Sequence, residues 1–145
     1  MIEETKQVIV QQAWEEYMRI EGPAREKYER IEKQALKKYK CIVGPAQREY
    51  LRIRKPAWKE YKCIQKLAQK EYPCSQKLIH EHIQRLAQEE YERIQKPAWE
   101  EYLRIQFSAW EEYERIRKPA WEEYQRIKKP AWEEYECIEK LALSK

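Results

Sequence analysis

Four cysteines, Cys41, Cys63, Cys74 and Cys137, and two histidines, His80 and His82, are the side chains of this 145-residue sequence best suited to redox, covalent or metal chemistry. No two cysteines have the C-x-x-C spacing of a zinc or dithiol site. Each stands two residues after a tyrosine, in a slot that Arg19, Arg30, Arg52, Arg93, Arg104, Arg115 and Arg126 fill elsewhere. One base separates Arg from Cys codons, so drift in a repeated gene accounts for them. Intermolecular disulfides are the functional alternative, and a metal site is a third. His80 and His82 are two residues apart, which on a helix turns them about 200° from each other, so one metal cannot be held by both. A bend near them would bring in Cys74; otherwise they read as solvated residues of a hinge. No cofactor is implied.

Paired carboxylates recur at Glu100-Glu101, Glu111-Glu112, Glu122-Glu123 and Glu133-Glu134. An acid/base pair serving one bond is needed once, whereas recurrence in every repeat marks a surface. The sequence contains no Asp or Asn and only two Gly, so the usual material of clefts and turns is missing and no catalytic residue is assigned. Lys33, Lys37, Lys38 and Lys40 form a basic tract that could meet phosphates, but lysines so spaced ordinarily solvate a helix face. Nucleic acid is therefore not the expected partner.

All eleven tyrosines lie on one ladder: Tyr17, Tyr28, Tyr39, Tyr50, Tyr61 and Tyr72, then Tyr91, Tyr102, Tyr113, Tyr124 and Tyr135. The step is 11 residues except between Tyr72 and Tyr91, where it is 19, three short of two repeats. With the proline slot as position one, the repeat is Pro-Ala-Trp-Glu-Glu-Tyr-x-Arg-Ile-x-Lys, and every alanine occupies position two. Ala, Tyr and Ile recur at steps of four, three and four, which is helical spacing. They form one face, with Trp on its flank. Glu at four, Arg at eight and Lys at eleven form the opposite face, with Glu and Arg spaced i to i+4 for pairing.

This pattern resembles the 11-residue (hendecad) class of α-helical coiled coils over about residues 12–142. Such a resemblance implies long helices packed with a gentle right-handed supercoil or nearly straight. A weaker resemblance is to apolipoprotein-type helices, whose 11-residue units are punctuated by proline; it implies lipid binding, although Ala and Tyr replace the Leu and Phe of those apolar faces.

Six prolines, Pro23, Pro45, Pro56, Pro97, Pro119 and Pro130, share one slot. The surrounding residues supply neither an N-cap nor a terminal glycine, and 11 residues is marginal for a free helix, so a helix running through them is expected. In-phase kinks would add to a smooth curve; inheritance with the repeat is the alternative. Pro73 is different, because it coincides with the break in phase and is the expected hinge, with Ser75 able to cap a second helix near Gln76.

The expected fold is therefore all-α: a lead-in over 1–11, a first repeat helix over 12–72, a phase break over 73–85 and a second repeat helix over 86–145. Folded at Pro73, the chain is a hairpin of two helices of about 105 Å; unfolded there, it is one continuous helix. The formal net charge is +4, with 17 Lys+Arg against 11 Glu in residues 1–72 and 13 against 15 in 73–145, so a hairpin sets a basic helix on an acidic one.

Neither form covers its apolar face alone, so self-association is expected. The assembly interface is assigned to the tyrosine ladder with Ile53, Ile64, Ile94, Ile105, Ile116, Ile127, Ala57, Ala98, Ala120, Ala131, Trp58, Trp99, Trp110, Trp121 and Trp132. The functional expectation is a structural protein forming a bundle, tube or filament with copies of itself. A membrane-surface or lipid-wrapping role is the alternative. The acidic opening MIEETKQVIVQQ and the absence of any apolar run of about 18 residues make cytoplasm the default compartment.

Overall fold

The computed structural model describes residues 2–72 and 76–144, and every described residue outside the turn is α-helical. Helix α1 spans Ile2–Glu71 and helix α2 spans Lys77–Ser144. The all-α expectation holds, and two helices pack together. They run 70 and 68 residues, the length expected of the hairpin, and extend past the repeat bounds 12–72 and 86–145. Residues 2–11 of the lead-in belong to α1, and residues 77–85 of the expected phase break belong to α2. Helix propagation needs only tolerable propensity once a nucleus exists, and neither stretch contains a breaker. Pro73, Cys74 and Ser75, which carried the hinge, a cross-link candidate and the cap, lie outside the described residues.

All six in-phase prolines sit inside the helices, with their rings on exposed positions. Each lacks the N–H that would bond the carbonyl four residues back. That carbonyl belongs to position eight of the preceding repeat (Arg19, Cys41, Arg52, Arg93, Arg115 or Arg126), all exposed residues. Water can therefore satisfy the freed acceptor, and the helix continues because the defect is always on its wet side.

The chain divides into two compact units. The turn unit, Tyr39–Glu111, is a helical hairpin. The terminal unit, Met1–Lys38 with Glu112–Lys145, is an antiparallel helix pair. In both, the ring contacts show the same register: as the residue on α1 rises by eleven, its partner on α2 falls by eleven. In the terminal unit Tyr17 meets Tyr135 with ring centroids 6.2 Å apart, and Tyr28 stacks on Tyr124 at 5.7 Å. In the turn unit Tyr50 stacks on Tyr102 at 5.8 Å, and Tyr61 meets Tyr91 at 5.6 Å. The shortened spacing between Tyr72 and Tyr91 now has a physical role. In an antiparallel hairpin the connection sets the register, and three further residues would shift one ladder past the other by about 4.5 Å at 1.5 Å per residue.

The buried layer is narrow. Alanines including Ala35, Ala57, Ala68, Ala109 and Ala131 let the backbones approach, and Tyr17, Tyr50, Tyr113 and Tyr124 fill the space between them. Among the described residues no large side chain is completely enclosed.

The outer face differs from the expected pairing. Arg at position eight bonds the position-five glutamate three residues earlier, not the position-four glutamate four residues earlier. Arg19 with Glu16, Arg52 with Glu49, Arg93 with Glu90 and Arg104 with Glu101 form two-pronged contacts of 2.5 to 3.1 Å. Side chains lean toward the helix N-terminus, so an arginine reaches back most readily across one turn of three residues. These forks hold Glu16, Glu49, Glu90 and Glu101 below the usual carboxylate range. The expected basic-on-acidic attraction between helices yields one ion pair within 4 Å among the described residues, Lys27 to Glu123 at 3.6 Å.

Candidate interaction surface

Each helix pair has two flanks, and the sequence gives them different chemistry. On one flank, position-three tryptophans lie over tyrosines of the other helix: Tyr17 meets Trp132 at 5.3 Å, Tyr28 meets Trp121 at 5.2 Å, Tyr50 meets Trp99 at 5.1 Å and Trp58 meets Tyr91 at 5.4 Å. The same tryptophans contact the tyrosine three residues later on their own helix, as Trp58 does Tyr61 and Trp99 does Tyr102. Edge-to-face and tilted contacts at these separations are the favourable aromatic geometries. The tryptophans nevertheless remain 38–45% exposed, since a two-helix layer has nothing to place above them.

Beneath this aromatic row runs a polar row that sequence reasoning missed. Position ten, an unassigned x of the repeat, is buried or half-buried at Glu21, Glu32, Val43, Arg54 and Gln65 on α1, and at Gln84, Gln95, Gln106, Arg117, Lys128 and Glu139 on α2, while Gln76 between the helices is exposed. It lies one turn beyond the tyrosine, so its place on the packing face was available from the i to i+4 step. Its polarity hid it, because only apolar residues were counted as facing the partner.

These residues satisfy the tyrosine hydroxyls across the interface. In the turn unit Gln95 Nε2 donates to the Tyr50 hydroxyl at 2.8 Å, and Arg54 Nε donates to that of Tyr91 at 3.0 Å. In the terminal unit the Tyr28 hydroxyl donates to Glu32 and accepts from Arg117 Nη1 at 3.4 Å, while Arg117 also bonds Glu114. Burial first, then the Glu32 bond, raises the Tyr28 phenol above its ordinary range.

Glu21 is the most unusual member. It is only 4% exposed; its Oε1 accepts from the Tyr124 hydroxyl at 2.7 Å and lies 3.8 Å from Arg25, and its Oε2 has no partner. Burial, followed by the bond to Glu21, pushes the Tyr124 phenol up to about 12. Burial and the Glu21 charge also raise Tyr17.

The opposite flank carries isoleucine. In the terminal unit Ile31 and Ile127 line a void of about 20 Å³ together with Tyr28, Tyr124 and the Lys27–Glu123 pair. Ile53, Ile64, Ile94, Ile105, Ile116 and Ile127, assigned to assembly, are half-buried between the two helices of their own unit. Ala57 and Ala131 are buried, Ala98 and Ala120 half-buried, and Tyr39, Tyr72 and Tyr102 half-buried. Most of the stripe assigned to other copies is thus engaged within the chain, whereas the tryptophan row is open.

The residues with redox or metal chemistry are dispersed. Cys41, Cys63 and Cys137 are exposed free thiols. Among the described residues no group of three or more His, Cys, Asp or Glu side chains is placed to hold a metal ion. His80, expected to be solvated, is half-buried: it takes the place opposite Tyr72 where the ladder would put a tyrosine, and its Nδ1 lies 3.2 Å from the Ala68 carbonyl oxygen. That contact requires a proton on Nδ1. The same carbonyl accepts from the Tyr72 N–H at 3.0 Å, so His80 helps satisfy the last turn of α1. His82 is exposed and contacts Arg85 at 3.1 Å. No described helix is long and apolar enough to cross a membrane.

No family model, curated protein or solved structure matches this chain.

Proposed function

We propose that this chain is a structural protein whose paired helices associate with further copies of themselves. The observation that carries this reading is that, in each unit, the tryptophans beside the packed tyrosines are left 38–45% exposed. Their contacts with tyrosines use one side of each indole, and a further layer of helices would cover the side left open. Position ten supports the same reading. Gln95, Arg54, Arg117 and Glu32 already bond tyrosine hydroxyls inside their own unit, which lowers the cost of covering them with further helices. The finer description, an 11-residue-repeat coiled coil with right-handed or near-straight packing that extends into a bundle or filament, belongs to the same proposal. It assigns the chain no catalytic chemistry, and its partner is itself.

Sedimentation equilibrium between about 1 and 200 µM, with electron microscopy of the same samples, tests it. A mass above that of one chain that rises with concentration is expected. A single-chain mass throughout would refute the proposal. Binding to anionic lipid vesicles accompanied by a monomer in buffer would favour the lipid-wrapping role instead.

A further inference from the structure

Self-association leaves open which face of the chain is used, and the turn unit departs from the repeat in one place. Position eleven is Lys or Arg in most repeats but Phe at Phe107, and position seven is usually charged or an amide but is leucine at Leu51 and Leu103. Leu51 lies one helical step before Arg54 and two before Trp58, and Leu103 and Phe107 lie between Trp99 and Trp110 at steps of four, four and three. All six side chains therefore fall on the tryptophan flank of this unit. They are between 38% and 66% exposed, Phe107 most of all. Beside Phe107 is an open cleft of about 630 Å³ whose walls include Tyr39, Leu103 and Trp110. A protruding ring at the wall of an open cleft gives two copies of this surface a group to insert and a space to receive it.

Area and charge identify the occupant. At about 200 Å² per large side chain, the six expose roughly 550 Å² of apolar surface. That is the core of a stable interface, which removes about 800 Å² per partner once its rim is included. The rim differs in sign between the helices. On the α1 side lie Arg48, Lys55 and Lys59, all basic, and on the α2 side Glu100 and Glu111 outnumber Lys96; all are exposed. Over the whole unit, the α1 segment 39–72 carries nine Lys+Arg against three Glu, whereas 73–111 carries five against seven.

We infer that the tryptophan flank of the turn unit, centred on Phe107, is the contact between two copies of this chain, related by a two-fold axis parallel to the helices. Only that axis sets the basic α1 edge of each copy over the acidic α2 edge of the other. It also makes every adjacent pair of helices in the resulting four-helix layer antiparallel. Each Phe107 enters the other copy's cleft. The inference rests on the self-association proposed above and adds its site and symmetry.

The test compares the full chain with Phe107→Lys, which restores the common residue of position eleven, and Leu103→Glu. Far-UV circular dichroism serves as the control for folding. In sedimentation equilibrium each substitution is expected to weaken dimerisation roughly 30-fold or more, as loss of a central aromatic anchor does. The orientation is tested by charge reversal. Glu100→Lys in one chain, and Arg48→Glu with Lys55→Glu in another, should each weaken self-association, and mixing the two should restore it as a heterodimer. A wild-type chain that is monomeric throughout overturns the self-association reading itself. A wild-type oligomer that Phe107→Lys and Leu103→Glu leave unchanged overturns only this face. Weakened variants that fail to recover on mixing overturn the two-fold arrangement.

Discussion

Replacing Tyr124 with phenylalanine removes one oxygen atom, yet it strands the most deeply buried charged group in the terminal unit. Glu21 is 4% exposed, its Oε2 is unpartnered, and its Oε1 relies on the Tyr124 hydroxyl at 2.7 Å, with Arg25 at the longer distance of 3.8 Å. A hydrogen bond to a charged group contributes about 1.5–3 kcal/mol, and the cost of leaving a buried carboxylate without it falls in the same range. Tyr124→Phe should therefore destabilise the chain by about 2–3 kcal/mol, lowering Tm by about 5–10 °C for a protein of this size. Glu21→Val is the informative partner, because Val43 already occupies position ten two repeats later and is buried there. With both polar groups gone nothing is stranded, so the double variant should lie within about 1 kcal/mol of wild type, a coupling of about 2 kcal/mol. Urea denaturation followed by circular dichroism at one fixed protein concentration measures all four corners of the cycle. Additive single effects, or a Tyr124→Phe change below about 0.5 kcal/mol, would refute the claim that this hydroxyl carries the buried carboxylate.

Alkaline titration gives a second check. A phenol whose pKa is raised on folding contributes stability that is complete below its ordinary value near 10 and is lost as pH rises through the folded value. With Tyr124 at about 12, and Tyr17, Tyr28 and Tyr113 shifted the same way, the melting temperature should hold to about pH 10 and fall between pH 10 and 12. Gly22→Ala should raise stability by about 0.8–1 kcal/mol in the same denaturation assay, because an added Cβ there meets nothing within 4 Å and glycine is a poor helix residue. Arg104→Lys, which breaks the fork to an exposed Glu101, should change stability by less than about 0.5 kcal/mol. His80→Ala should speed amide exchange at Tyr72 and in the last turn of α1 while leaving exchange near Trp121 unchanged, since only the Ala68 carbonyl loses a partner.

Much of this architecture was legible in the residues themselves. A period of 11 with Ala, Tyr and Ile at helical steps specifies both helix and face, because those steps stack side chains on one side of any α-helix. The continuity of the helices through the prolines was legible because the flanking residues offer neither an N-cap nor a terminal glycine and 11 residues is marginal for a separate helix. Other features resisted prediction because they depend on who lies opposite. The arginine forks go back three residues instead of four because of side-chain direction, which spacing alone does not reveal. The engagement of the Ala/Tyr stripe within the chain, which leaves the tryptophans as the open edge, follows from the hairpin.

The amino-acid sequence by itself thus determined helicity, periodicity and the composition of the packing face, since these are local properties of neighbours within about one turn. Only the tertiary structure decided that Glu21 meets Tyr124, that Gln95 meets Tyr50 and that Arg54 meets Tyr91. Those partnerships join residues 37 to 103 positions apart. A helix pattern holds no information about that register until the second helix is laid against the first.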